Sequence, residues 1–98
     1  DLDFAATLQK VPVSIHLGLE ADETALAAKW HIPEAHYLEA WGDGWGAEGT
    51  VAIQQPMIEP LYGGKSAMEL VAMITGAPAK KGYELVRSRW MSQWPGDK

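Results

Sequence analysis

The residues best equipped for chemistry lie in the first half of the chain. His31-Ile32-Pro33-Glu34-Ala35-His36 places two imidazoles and a carboxylate within six residues, a donor set that suits zinc or nickel. Zinc ligation from a single helix needs two His one turn apart with unbroken helix between them. Here the His are five apart and Pro33 intervenes. A metal held by His31, Glu34 and His36 would therefore need a loop-built site and a further ligand from elsewhere, and a structural or surface role is the simpler reading. Gly42-Asp43-Gly44-Trp45-Gly46 has the composition of a phosphate cradle. Such cradles join a strand to the N-terminus of a helix, whereas strand-like residues follow this one, so the glycines predict a plain loop. Glu20, Asp22 and Glu23 crowd their carboxylates together, as the first turn of a helix does without any catalytic reason. No serine combines a nearby His with elbow glycines, so no catalytic residue is assigned.

The elements that must position these residues alternate. Asp3 is a plausible N-cap for a short helix ending at Gln9, with Phe4 and Leu8 one turn apart. Val11, Val13, Ile15 and Leu17 have strand periodicity, with Pro12 near the start of the run. A helix opens at Glu20–Glu23 and runs to about Lys29, and Pro33 stops the segment after it. His36–Glu39 is either a short extended or a short helical stretch, and Thr50–Gln54 is a second strand, ended by Pro56. The firmest signal is Ser66-Ala67-Met68-Glu69, whose S-x-x-E spacing is a capping box for a helix stopped by Gly76 and Pro78. A final helix spans about Gly82 to Trp94, with Tyr83, Val86, Trp90 and Trp94 on one stripe. Strands alternating with helices predict an α/β fold: a partial layered domain of few strands with flanking helices and some parallel pairing.

The chain is 98 residues long, enough for a single α/β domain over 1–98. Its formal charge of -5 leaves no basic footprint for nucleic acid or anionic lipid. No apolar run is long enough for direct membrane insertion. The absence of cysteine excludes disulfides, thiolate metal sites and Fe–S ligation by these residues. Five Trp are too many for so small a core. Trp41, Trp45, Trp90 and Trp94 are therefore expected to meet another domain or a second copy of the chain, which would make the isolated segment a homo-oligomer.

In order along the chain, several short motifs resemble the molybdopterin oxidoreductase (DMSO reductase) family. Asp22-Glu23-Thr24-Ala25 is similar to that family's "ETA" helix, and Ala28-Lys29-Trp30-His31-Ile32-Pro33 takes the place of its "A-D-x-x-L-P" strand. Glu39-Ala40-Trp41-Gly42 resembles the "E-x-x-G" step and Glu48-Gly49 the "E-G" step. The run from His31 to Asp43, then Gly49 to Pro56, Pro60 to Ala67 and Gly82 to Trp90, looks most like one branch. That branch is the molybdopterin-oxidoreductase-like iron–sulfur subunit of alternative complex III, a quinol:electron-acceptor oxidoreductase.

The resemblance implies an excised segment of a larger domain that flanks a bis-pterin cofactor. The parent subunit would carry molybdopterin guanine dinucleotide, Fe–S clusters or both, with no cofactor in this segment and no cofactor-binding residue assigned. Its partners would be the remaining domains of that subunit and other subunits of a respiratory electron-transfer complex. A bacterial location on the exported, periplasm-facing side of the inner membrane follows from the same likeness. Catalytic members carry Asn before "E-G" and Arg after it, where this chain has Trp45-Gly46-Ala47 and Thr50. Without that Arg, bidentate pyrophosphate contacts are not expected. The resemblance thus points to a non-catalytic structural segment. The alternative is a cofactor-flanking segment of a genuine molybdenum oxidoreductase that contacts the pterin dinucleotide.

Overall fold

A computed structural model describes residues 3–77 and 80–94. Helix α1 (Phe4–Gln9) begins where Asp3 accepts the Ala6 N–H, as the sequence predicts. Strand β1 (Ile15–Gly18), helix α2 (Glu23–Ala27) and strand β2 (Trp30–Pro33) form a β-α-β unit whose strands pair in parallel, Ile15 opposite Trp30 and His16 opposite His31. The strand predicted from Val11 starts only at Ile15. β2 begins opposite Ile15, so among the described residues no strand faces Val11 and Val13, and Pro12 has no N–H to offer one. Helix α2 is also shorter than predicted. Asp22 caps it through the Ala25 N–H, and Ala28 is already extended because the next two amides are claimed by Ser14. The Lys29 N–H donates to the buried Ser14 hydroxyl and the Trp30 N–H to the Ser14 carbonyl. Lys29 itself reaches back to the Pro12 carbonyl instead of capping the helix.

A single 3-10 turn, η1 (Tyr37–Glu39), leads into an antiparallel hairpin of β3 (Gly42–Trp45) and β4 (Val51–Gln54). Residues 42–45 of the loop expected at 42–46 thus form a strand, and this is the main correction to the sequence reading. Glycine has little strand propensity of its own, but the backbone of β4 supplies a full ladder. The turn lies later, where Gly46 N–H donates to the Thr50 carbonyl and Gly49 takes a positive φ of 82°.

Helices α3 (Ala67–Ile74) and α4 (Gly82–Gln93) complete the described chain. The capping box at α3 forms as its spacing predicts: the Glu69 N–H donates to the Ser66 hydroxyl and the Ser66 N–H to the Glu69 carboxylate. Gly76, with φ of 89°, ends the helix in a conformation that costs other residues strain. Pro78, predicted to reinforce that stop, lies outside the described residues, as do Asp1 and Leu2 of the first predicted segment.

The arrangement is a small mixed α/β fold with two separate two-stranded sheets, four strands where two were evident from the sequence. Its core is thin. Among the described residues, Ala25, Ala72 and Val86 are the only buried apolar side chains, and no large side chain is fully buried. The radius of gyration is 16.6 Å, against about 13 Å for a close-packed chain of this length. A surface of 7715 Å² likewise exceeds the roughly 5,500 Å² typical of a compact monomer of this mass.

With so little burial, capping contributes heavily to the stability of α3 and α4. Ser66→Ala should cost about 1 kcal/mol. Glu69→Ala should cost about twice that, because its carboxylate also accepts the Gly82 N–H at the start of α4. Urea unfolding followed by circular dichroism checks the ranking of the two variants.

Candidate functional site

The most developed surface feature is an aromatic groove between the hairpin and α4. Tyr83, Val86 and Trp90 on α4 and Trp94 at its C-cap recur at helical spacing, so the stripe read from the sequence faces one way. Val86 is buried and Trp90 half-buried, whereas Tyr83 and Trp94 stay 50% and 58% exposed, so the stripe is only partly covered by its own chain. On β3, Asp43 and Trp45 are two apart and share a face, and both reach α4. The Trp90 indole N–H donates to the Asp43 carboxylate at 2.8 Å. Trp45 packs on Trp90 with ring centres 5.5 Å apart, and Trp90 stacks on Trp94 at 4.8 Å. Trp41, just before β3, meets Tyr83 edge to face at 5.0 Å. These spacings fall in the favourable range for aromatic pairs.

The resulting cavity measures about 360 Å³ and is open to solvent. Trp41, Ile53, Tyr83, Trp90, Met91 and Trp94 line it, with Arg87 as its charged member. The structure therefore brings together Trp41, Trp45, Trp90 and Trp94, which the sequence singled out from composition alone. Trp30 stands apart on β2, 66% exposed. What sequence reasoning missed is Asp43, read there as a loop residue. A carboxylate two positions before a Trp in an alternating segment was the available signal.

A second, more polar cleft of about 370 Å³ lies beside the first turns of α3 and α4, where Glu39, Glu69, Lys65, Lys81 and Tyr83 meet. Two of its carboxylates are already engaged. Glu69 accepts from the Ser66 and Gly82 N–H groups, and Glu39 accepts from those of His36 and Leu61. That makes both of these carboxylates backbone clamps, while Glu59 also lines the cleft.

The proposed trio His31, Glu34 and His36 is dispersed. His31 lies on β2 facing His16, with their Nδ1 atoms 2.9 Å apart. The backbone around Glu34 forms an isolated parallel β-bridge with that of Lys65. His36 caps η1, its Nδ1 accepting the Leu38 N–H. Among the described residues, no three His, Asp or Glu side chains converge as a metal set. Of the carboxylates Glu20, Asp22 and Glu23, Asp22 is the one with distinct electrostatics. The Ala25 N–H above all holds its carboxyl below the usual aspartate range, against the opposing effect of desolvation and with lesser help from the neighbouring His16 and the Thr24 N–H.

No family model matches this chain, and a search of curated proteins finds no match. The site is thus interpreted from its own geometry.

Two outcomes follow. Trp90→Phe keeps the ring stack but removes the donor to Asp43, so unfolding should move to lower urea by the equivalent of about 1–2 kcal/mol. Asp43→Asn in the same background should add little further loss if the two groups act as one pair. Asp22 gives a pH signature. Its folded-state proton affinity is lowered, so its stabilisation is present above the ordinary aspartate pKa of about 4 and is lost as pH falls through the lower folded value. Asp22→Asn should flatten the acid side of a stability–pH curve below about pH 4 and leave its neutral side parallel to that of the unaltered chain.

Proposed function

We propose that this chain is a non-catalytic structural segment of a molybdopterin-oxidoreductase-like subunit in a respiratory electron-transfer complex. The observation that carries the structural part of this reading is the partly covered aromatic groove on a chain with almost no core of its own. Exposed aromatic clusters of this kind are enriched at the centres of protein interfaces. The remaining domains of the subunit are the natural cover, and a second copy of the chain would serve only in isolation. The family assignment rests on the order of the short motifs from Asp22 to Trp90. The electron-transfer branch is preferred because Thr50 stands where a phosphate-binding Arg would. In this reading the parent holds the pterin dinucleotide, Fe–S clusters or both, and lies on the periplasm-facing side of a bacterial membrane.

Calorimetric titration with guanosine diphosphate tests the choice of branch. The expected outcome is no saturable binding. Micromolar affinity would instead favour a cofactor-flanking segment of a molybdenum enzyme. The coding sequence on either side provides an independent check, since the preferred reading expects cysteine quartets downstream.

A further inference from the structure

His16 and His31 are the two imidazoles that the β-α-β unit forces together. They sit directly opposite each other on parallel strands, and their Nδ1 atoms approach to 2.9 Å. The approach has been given room: a Cβ at position 18 would lie 2.5 Å from the His16 ring, so Gly18 leaves the space the ring occupies. On its far side, His16 Nε2 lies 3.5 Å from Asp22 Oδ1, and His16 is largely covered, with its side chain 16% exposed.

We propose that His16 and His31 form a two-imidazole chelate, through their Nδ1 atoms, for a divalent ion of the copper–nickel–zinc group, with Asp22 orienting His16. Two nitrogens bound at about 2.05 Å and at right angles to each other lie about 2.9 Å apart, and a tetrahedral angle widens this to about 3.3 Å. The observed separation is at the short end of this range. The chemistry of the tautomers agrees. An ionised Asp22 3.5 Å from Nε2 favours the tautomer with its proton on that nitrogen, which leaves the His16 Nδ1 lone pair bare, the arrangement by which a carboxylate behind a ligating His fixes its ring. In that tautomer, the donor of the 2.9 Å contact between the two Nδ1 atoms is His31, through its Nδ1 proton. Binding requires neutral His31 to move this proton to its own Nε2 and each ring to turn so that the lone pairs converge beside the line joining them. No proton is released from the pair in this exchange, and the backbone of both strands stays in register. Water completes the coordination sphere, because the pair supplies only two donors.

The chain contains three His, so His36 is the one other imidazole and serves as an internal control. Ni(II) titrated calorimetrically into the 98-residue chain should show one saturable site. His16→Ala and His31→Ala should each abolish it, His36→Ala should leave it intact, and Asp22→Asn should weaken it about tenfold. Proton NMR of the unaltered chain guards against variants that fail to fold. The ring signals of His16 and His31 should broaden together at the first additions of Ni(II), before those of His36. The proposal is overturned by absence of saturable binding, by binding that survives both substitutions, or by broadening that begins at His36.

Discussion

The carboxylate-to-backbone hydrogen bond is the interaction on which most of this structure hangs. Every helix leaves N–H groups unpaired at its start, and this chain repeatedly answers them with an acidic side chain. Asp3 and Asp22 do so as N-caps, and Glu39, Glu69 and Glu84 fold back from the third position of their helices. Glu69 goes further than the rest. One of its oxygens closes the first turn of α3 while the other holds Gly82 at the start of α4, so a single carboxylate fixes both helix starts. Much of the chain's acidic excess is therefore spent on architecture.

That dependence follows from the thin core. Burial of apolar surface normally dominates folding energetics, at roughly 25 cal/mol per Å². Among the described residues, the buried Ala25, Ala72 and Val86 are small or medium side chains, and the larger ones remain at least partly in solvent. Local contacts close short loops at little entropic cost, which is why caps, a hairpin and a β-α-β unit can persist where the described residues form so thin a core. The aromatic groove is the exception. Trp90 joins sequence-distant elements by stacking between Trp45 and Trp94 and by donating to Asp43.

What the sequence made legible was largely local. The Ser66 box, the Asp3 cap, the α4 stripe and the Thr50–Gln54 strand are each specified by a few neighbouring residues. Their bounds hold to within a residue or so. The α/β class followed from their alternation. Misreadings arose where a distant partner decides: β3 exists because β4 pairs with glycines that would otherwise form a loop, and β1 is short because β2 begins opposite Ile15. The groove was half legible. Its Trp residues stood out by number, but the tie from Asp43 to Trp90 spans 47 positions. The His pair was hidden for the same reason, since His31 is closer in sequence to His36 than to the His16 it faces.

The glycines of β3 have a consequence of a different kind. Gly42 and Gly44 alternate with Asp43 and Trp45, so the face of β3 turned away from α4 carries no side chain from either position. A Cβ at Gly44 would meet nothing within 4 Å. Within this chain alone the position is sterically permissive. In a larger assembly, a surface laid over that face would reach bare backbone at Gly44, and the tolerated size of the residue there would then measure the thickness of the gap.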